Sequence, residues 1–258
     1  MEIGISTASL FLRALNEDAV GVLKELETEV TEVFLATFSE YTKAFGELLK
    51  ARAGDMKIRS VHTLCTHFEP QLYSEHPRAK KDAFTTLDQV LDTANAMGAT
   101  HYTFHGTTRL KNRAPTTDYA VMGKKTETIR QACENRGVTL CFENVSWAAY
   151  SYPGFFRGIK EYCPKLQGVL DIKQADRSGY PVIDYIRDMS GAIATVHVSD
   201  VNEDGKMCLP GRGKTNFKEL FTMLKDHGFD GTVLIEAYKD DYDGVMELAD
   251  SVNYLKSL

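Results

Sequence analysis

Short apolar runs alternate with longer amphipathic segments along this 258-residue chain. The short runs are rich in Val, Ile, Leu, Phe and Thr, and most are continuous, which is typical of parallel strands covered on both faces. We predict strands at 3–7, 32–36, 58–64, 101–105, 139–144, 168–172, 194–199 and 232–237. Such strands form an interior sheet only if helices cover it on the outside.

The segments between these runs carry helix signals. Pro77 is a favourable first helical residue and Gly98 a favourable stop, while Asn216 and Glu219 resemble a capping box. We predict helices at 17–27, 77–97, 117–135, 155–162, 181–189, 216–227 and 243–256. Eight predicted strands, all but one of them followed by a predicted helix, in 258 residues match the length and the repeating pattern of an α/β protein that forms one (β/α)8 TIM barrel over 1–258. A doubly wound open sheet is the alternative, but GISTASLF after the first strand lacks the GxGxxG turn.

Composition and charge narrow the classes of function. The net charge of −6 and the pI near 5.7 disfavour a nucleic-acid binder, whose electrostatic footprint is basic. Five cysteines are scattered without a CxxC pair, which indicates free thiols in a reducing compartment. The MEIGIST start lacks the features of a signal peptide, and no apolar run approaches the ~18 residues that a membrane span needs. We therefore expect a cytoplasmic protein without nucleic-acid or membrane partners.

A charged or imidazole side chain closes each of the last four predicted strands. Such groups are costly at the end of a buried strand unless they are paired or bind a metal. Because barrel active sites lie at the carboxyl ends of the strands, we expect the four to meet. Three carboxylates and one imidazole suit a divalent cation. The predicted ligands are Glu143 in TLCFENV, Asp171 in GVLDIKQ, His197 in ATVHVSD and Glu236 in TVLIEAY.

The motifs at these positions resemble those of a known superfamily. FEN at 142–144, DIKQ at 171–174, HVSD at 197–200, PGRG at 210–213 and LIEAY at 234–238 are similar to the xylose isomerase-like barrels, and within them to the sugar phosphate isomerase/epimerase branch. The resemblance covers essentially the whole chain. It implies one divalent metal ion on Glu143, Asp171, His197 and Glu236, with Mn²⁺ favoured and Mg²⁺, Co²⁺ or Zn²⁺ as alternatives.

The resemblance also implies that Glu143 and Glu236 face each other across the substrate and exchange its proton. Proton removal next to a carbonyl leaves an enediolate, whose charge a metal ion stabilises, and a carboxylate on each face lets one act as base while the other returns the proton. We expect an isomerase or epimerase of a small polyhydroxy carbonyl compound, either a sugar or a sugar phosphate. A dehydratase of the inosose or dehydroshikimate type is one alternative, and a non-catalytic sugar- or metal-binding barrel is another.

The chain departs from the family pattern in places that bear on the substrate. Family members commonly carry histidine three residues after the aspartate, where Gln174 stands here; glutamine forms hydrogen bonds but does not titrate near neutral pH. Tagatose epimerase-like relatives carry an arginine soon after the strand-seven histidine, whereas the first arginine after His197 in this chain is Arg212. AP endonucleases of the endonuclease IV type bind three zinc ions, but their Asp-x-His pair is missing from 206–209, which disfavours that activity.

Further residues are predicted to contact the substrate. His62 in SVHTL and His105 in TFHGT end earlier strands, and we expect them to bind substrate hydroxyls. The alternative is that His62, His105 and Glu143 hold a second metal ion. Trp147 follows Glu143 by four residues and is expected to stack on a sugar face or to form a hydrophobic lid or subunit contact. Arg212 lies in a glycine turn that can bind phosphate, or that is an ordinary loop. The family resemblance also implies a homo-oligomer.

Overall fold

The computed structural model describes residues 1–64, 68–109 and 117–258. The strands in this part of the chain are β1 (Glu2–Ser6), β2 (Val30–Leu35), β3 (Lys57–Thr63), β4 (His101–Phe104), β5 (Thr139–Glu143), β6 (Gln167–Asp171), β7 (Ile193–Val198), β8 (Asp200–Val201), β9 (Met207–Cys208) and β10 (Thr232–Ile235). Eight of these described strands are parallel and close into a barrel in the order β1-β10-β7-β6-β5-β4-β3-β2. The predicted (β/α)8 barrel is confirmed, and each predicted strand is observed with its ends shifted by no more than two residues.

The strand register brings the ends of the strands to one edge of the barrel. Asp171 on β6 pairs with His197 on β7, and His197 pairs on its other side with Leu234 on β10. Glu143, at the end of β5, pairs with Val169 on β6. The residues that close these strands therefore lie on neighbouring strands at the carboxyl-terminal edge, where barrels of this kind carry their sites.

Helices surround the barrel. They are α1 (Asn16–Glu25), α2 (Lys43–Ala53), α3 (Glu69–Leu72), α4 (Pro77–Met97), α5 (Tyr119–Glu134), α6 (Phe155–Lys160), α7 (Ile172–Ser178), α8 (Val182–Asp188), α9 (Phe217–Asp226) and α10 (Met246–Lys256), with 3₁₀ turns at Thr7–Leu10 and Phe38–Glu40. In α4, Leu87, Val90 and Ala94 are buried at helical spacing, so one face packs on the barrel. Gly98 ends α4 in the left-handed conformation with φ 83°, as its helix-stop signal predicts.

The helix α2 was not predicted from the sequence. Its interior carries Gly46, and glycine lowers helix propensity by about 1 kcal/mol relative to alanine. The structure explains this residue, because a Cβ atom at Gly46 would lie only 2.4 Å from the carbonyl oxygen of Thr93 in α4. The residue that weakens the sequence signal is therefore the one that lets the two helices approach closely.

The helix α7 begins directly after β6 and was also missed. The predicted strand runs on to residue 172, whereas the observed strand ends at Asp171, whose carboxylate Oδ1 accepts a hydrogen bond from the backbone N–H of Gln174 at 2.8 Å. Asp171 is thus both the last strand residue and the N-cap of α7. This cap places Lys173 and Gln174 on the first helical turn beside the site rather than on an open loop.

The cysteines agree with the prediction of free thiols where they are described. Cys133, Cys141, Cys163 and Cys208 are free, and Cys65 lies outside the described residues. Among the helices of the described residues, none is long and apolar enough to cross a membrane.

Candidate metal and active site

The structure brings the four predicted metal-binding residues together. Nδ1 of His197 lies 2.8 Å from Oε1 of Glu143 and 3.0 Å from Oε2 of Glu236. Ligand atoms of Glu143, Asp171 and His197 all lie within 4.8 Å of one another. All four side chains are buried. The ends of β5, β6, β7 and the segment after β10 thus gather carboxylates around one imidazole nitrogen.

His62 and His105 extend this group on the side of β3 and β4. Nε2 of His105 lies 3.0 Å from Oε2 of Glu143, and the Nε2 atoms of the two histidines are 2.8 Å apart. His62 also lies 3.9 Å from Oε2 of Glu143 through Nε2 and 3.6 Å from Oε2 of Glu236 through Nδ1. His62 is therefore located between the two glutamates that were predicted to move the proton.

Glu32, in the middle of β2, is a site residue that sequence reasoning missed. Its side chain is completely buried and its Oε2 accepts hydrogen bonds from the hydroxyls of Ser60 and Thr103 at 2.7 and 2.6 Å. Its Oε1 lies 3.2 Å from Nδ1 of His62 and 3.1 Å from Nε2 of His197. The available signal was a carboxylate inside the apolar run VTEVFL, because an uncompensated charge is too costly within a buried strand.

Glu69 on α3 is a second buried carboxylate behind the site. Its Oε2 accepts the backbone N–H groups of His105 and Gly106 at 2.9 and 3.1 Å and lies 3.4 Å from Nδ1 of His105. The hydroxyls of Tyr102 and Thr63 donate to its Oε1 at 2.6 and 3.1 Å. Glu69 therefore fixes the backbone and the ring of His105 together.

Lys173 places a buried cation against the acidic side of the site. Its Nζ lies 3.7 Å from Oε1 of Glu236 and 4.0 Å from Oδ2 of Asp171, and it donates a hydrogen bond to the backbone carbonyl of Glu236 at 3.4 Å. The ammonium also lies 4.0 Å from the ring centroid of Tyr238, within cation–π range. The sequence signal was a lysine directly after a strand end, which is usually read as a solvated loop residue.

The electrostatics of the site follow from burial and close charge pairs. Burial alone would lower the pKa of His62, but hydrogen bonds to Glu236 and Glu32 outweigh it and raise that pKa to about 9. Burial would also lower the pKa of His197, but the charges of Glu236 and Glu32 outweigh it and raise that pKa well above its usual value. Both shifts therefore arise from the carboxylates that are packed against the two imidazole rings.

The carboxylates respond in different directions. Burial would raise the pKa of Glu143, but hydrogen bonds from His105 and His197 lower it. Burial raises the pKa of Asp171 to about 6, with Glu143 and Glu236 adding to the rise and Lys173 opposing it. An added cation would relieve this crowding of negative charge.

The donor set fits a divalent cation. Glu143, Asp171 and His197 form one group of buried ligand atoms, and Glu236 joins His197 in a second group that also contains Glu32 and His62. A set of oxygen donors with one imidazole suits Mn²⁺ or Mg²⁺. A structural zinc site, by contrast, is rich in sulfur and histidine ligands. Another group consists of His62, His105 and Glu143, the set predicted as the alternative second metal site.

A cavity of about 230 Å³ opens above these residues at the mouth of the barrel. The predicted site residues that line it are His62, His105, Glu143, Trp147, Asp171, Gln174 and Glu236. Apolar walls come from Phe11, Phe34 and Tyr238. Trp147 is 40% exposed, and its ring centroid lies 5.6 Å from that of His105. The cavity therefore combines aromatic faces with polar groups, as small-molecule sites do.

Gln174 meets the cavity in a defined orientation. Its Oε1 accepts hydrogen bonds from the backbone N–H and the hydroxyl of Ser146, at 3.1 and 2.8 Å. Two accepted bonds occupy both lone pairs of an amide oxygen. Gln174 can therefore act on a ligand only as an N–H donor.

The structure does not bring Arg212 to this cavity, which corrects the expectation that it contacts substrate. Its guanidinium forms an ion pair with Glu247 on α10 and lies 3.8 Å from Asp250. These acidic residues hold the side chain on the outside of the barrel, half exposed. The glycine turn that contains Arg212 instead wraps Asp200, whose Oδ2 accepts the backbone N–H groups of Gly211 and Gly213 at 3.2 and 3.0 Å.

The fold and the site define a class: (β/α)8 barrels with buried carboxylates and histidines at the carboxyl ends of the strands. The sequence matches the family model of the xylose isomerase-like TIM barrel over residues 18–258. The chain belongs to that family. It matches no curated protein significantly.

Solved structures with the same fold include the following three. D-Psicose 3-epimerase of Clostridium cellulolyticum H10, solved with D-tagatose, has a TM-score of 0.81 at 17% identity, covering 100% of this chain and 99% of its own. The IOLI protein, solved with a zinc atom, has a TM-score of 0.77 at 16% identity, covering 100% and 96%. The probable 3-DHS dehydratase AsbF of Bacillus anthracis has a TM-score of 0.74 at 13% identity, covering 99% of each chain. At these identities the likeness shows a shared fold.

Proposed function

We propose that the protein is a divalent-metal-dependent isomerase or epimerase of a small sugar or sugar phosphate. The observation that carries this proposal is the pair Glu143 and Glu236, whose carboxylate oxygens lie 2.8 and 3.0 Å from the same nitrogen of His197 below the cavity. A barrel that only binds a sugar does not need two buried carboxylates around one site, because burying each charge is costly.

The chemistry assigned to these glutamates is proton transfer at a carbon next to a carbonyl. One carboxylate takes the proton, and the electrons of the C–H bond move into the carbonyl to give an enediolate. The second carboxylate returns a proton to the same carbon from the other face, which inverts it, whereas return to the neighbouring carbon interconverts aldose and ketose. A bound divalent cation supplies electrostatic stabilisation for the negative charge that develops on the substrate oxygens.

The remaining residues bind and orient the substrate. His62 and His105 present ring nitrogens to hydroxyls, and Gln174 donates from its amide. Trp147 offers an aromatic face to the C–H side of a sugar ring. The residues that would hold the metal are Glu143, Asp171, His197 and Glu236, and we favour Mn²⁺ because oxygen donors predominate. A small sugar fits the size and mixed polarity of the cavity, and we place the enzyme in the cytoplasm as its free thiols suggest.

The function is tested by hydrogen exchange. The protein, loaded with Mn²⁺, is incubated in D₂O with ketoses, ketose phosphates and inososes, and deuterium at the α-carbon is followed by NMR and mass spectrometry. We expect wash-in together with an epimer or an isomer as product. An unsaturated product would instead support the dehydratase, in which loss of a β-hydroxyl follows the same proton abstraction. Metal binding without exchange on any substrate would favour the binding protein and contradict the proposal.

A further inference from the structure

A second cavity, of about 670 Å³, lies at the amino-terminal end of the barrel. We call it the floor cavity. Residues at or just before the start of several strands line it, among them Arg59 on β3, His101 on β4 and Thr139 on β5, and its apolar walls include Leu140 and Ile193. It shares no lining residue with the cavity at the mouth of the barrel. The floor cavity is therefore separate from the candidate active site.

A β-bulge places Arg59 at this cavity. Two consecutive residues of β2 pair with Ile58 and Ser60 on β3, so that Arg59 between them has no pairing residue. Ala194 on β7 is an equivalent extra residue and also lines the floor cavity. Bulges are rare between parallel strands, and they change the direction of the side chain that they carry. The barrel thus departs from regular pairing at two points of the same cavity.

The protein satisfies the guanidinium of Arg59 only in part. Nη2 donates a hydrogen bond to Nε2 of His101 at 3.1 Å, because arginine has donors and no acceptor. Nδ1 of the same ring then donates to the hydroxyl of Thr100 at 2.8 Å. Nε of Arg59 is buried and has no hydrogen-bond partner in the described part of the chain. Since a buried N–H group of a charged side chain is costly without an acceptor, this atom indicates a ligand that supplies one.

The charges around the floor cavity favour an anionic ligand. Its lining contains three cationic side chains, Arg59, Arg130 and Lys165, and two carboxylates, Glu134 and Asp230. Glu134 is already shared, because its oxygens lie 3.0 Å from Nη1 of Arg130 and 3.1 Å from Nζ of Lys165. Arg59 is thus the cation of this lining that has no ion pair with a carboxylate of the described residues.

His101 reports this unbalanced charge. Burial, followed by the charges of Arg59 and Lys57, lowers its pKa from 6.5 to about 4. Lys57 has a partner of its own, since its Nζ lies 2.9 Å from Oε1 of Glu2. An anion on Arg59 would offset the remaining charge beside the ring, so the signals of His101 are a local probe of binding.

We propose that the floor cavity is a second binding site, which takes the phosphate group of a small molecule and holds it on Arg59. The planar fork of N–H groups on arginine matches the oxygens of a phosphate, and phosphate carries more negative charge than a carboxylate. Thr139 and Gln167 add a hydroxyl and an amide to the same lining. The apolar walls suit the carbon part of a phosphate ester. This inference does not rest on the proposed function.

The first test locates the bound anion. The metal-free protein, labelled with ¹⁵N-histidine, is titrated with inorganic phosphate at constant pH and ionic strength, and the ring signals are followed by NMR. We expect a saturable shift of the His101 signals, while those of His76, exposed at the start of α4, stay unchanged. Shifts confined to His62 and His197 at the mouth, or no saturable shift of His101, would overturn the proposal.

The second test removes the guanidinium. Hydrogen bonds to a charged group are worth enough that Arg59→Met should weaken phosphate binding about 10- to 100-fold, measured by calorimetry. The matched control Arg78→Met removes an exposed arginine from α4 and should leave the affinity unchanged. If Arg59→Met does not fold, Arg59→Lys keeps the charge but loses the fork, and weaker binding is again expected. Unchanged affinity in the folded Arg59 variant would overturn the proposal.

A comparison of anions identifies the source of the phosphate group. Tighter binding of glycerol phosphate than of inorganic phosphate would assign an organic ester, and equal binding would assign the free ion; both results support a phosphate site. Acetate that binds as tightly as phosphate would overturn the assignment. All these measurements are made without metal and without a sugar substrate, so their outcome is independent of the proposed function.

Discussion

Nζ of Lys173 lies 3.7 Å from Oε1 of Glu236, in the buried wall of the site. Burial would lower the pKa of Lys173, but the charges of Asp171 and Glu236 outweigh burial and raise that pKa. The site thus carries an internal cation beside the position of the proposed metal. It is a counter-charge that keeps the acidic cluster compatible with a folded protein before metal binds.

Removing this cation should destabilise the metal-free protein more than the metal-bound one. Lys173→Met leaves buried carboxylates without their partner, a change that costs about 3–5 kcal/mol when a buried pair is broken. Excess Mn²⁺ should restore part of that stability, because a ligand that binds only the folded state stabilises it. Urea unfolding with and without Mn²⁺ measures both effects. The control Lys165→Met breaks an exposed pair with Glu134, and should change stability by less than about 1 kcal/mol. An equal loss with and without metal would count against this role of Lys173.

Glu143→Gln and Glu236→Gln should each abolish α-proton exchange while preserving the fold. A positioned general base contributes about 10²- to 10⁴-fold, so we expect a loss of at least that size at saturating Mn²⁺. Exchange rates and thermal unfolding are compared for each variant, with a substitution of the exposed C-cap residue of α6, Glu161→Gln, as the matched control. A fall in exchange that merely follows a fall in thermal stability would contradict the catalytic assignment.

The barrel and its strand-end residues were predictable because both depend on local pattern. A continuous apolar run marks a covered strand, and Glu143, Asp171 and Glu236 stand out because each interrupts such a run at its end. Glu32 did not stand out. Its partners Ser60 and Thr103 lie 28 and 71 residues away, so the compensation of its charge exists only after the strands have closed.

Other features depend on packing that the sequence does not display. The helix α2 contains Gly46 because α4 passes close to it, and propensity alone argues against a helix there. Arg212 was expected at the cavity because it lies in a glycine turn, but its guanidinium pairs with Glu247 on α10 instead. Side-chain direction in a loop follows from the nearest opposite charge, which is a property of the folded chain.

Gln174→Glu should raise KM much more than it changes kcat. The variant keeps an oxygen to accept from Ser146 but loses the N–H donor that faces the cavity. Loss of one hydrogen bond to a bound ligand costs about 1–3 kcal/mol when it leaves a buried partner unsatisfied, or roughly 5- to 150-fold in KM. Steady-state kinetics with the substrate found by exchange provide the measurement. Ser146→Ala removes the hydroxyl that donates to Oε1 of Gln174, leaves the N–H donor of Gln174 in place, and should have a smaller effect. If both variants raise KM equally, the donor role of Gln174 is wrong.

His101, the first residue of β4 at the opposite end of the barrel from the site, should make the protein less stable in acid. Nη2 of Arg59 lies 3.1 Å from its Nε2, and burial, followed by the charges of Arg59 and Lys57, lowers its pKa from 6.5 to about 4. Between pH 6.5 and 4 the unfolded state therefore binds more protons than the folded state, and the free energy of unfolding falls as the pH falls.

The size and the test of this effect follow from the same pKa. At 1.36 kcal/mol for each tenfold change in proton affinity, the limit is about 3 kcal/mol, and partial exposure of the ring reduces it to roughly 1–2 kcal/mol. His101→Gln keeps an acceptor for Arg59 but cannot titrate, so its free energy of unfolding should fall less than that of the wild-type protein between pH 7 and pH 4.5. Urea unfolding at both pH values measures the difference. Arg59→Met should also flatten the profile, because it removes the nearest positive charge and lets His101 take up a proton in the folded state. Identical profiles for wild-type protein and His101→Gln would show that the acid sensitivity arises elsewhere.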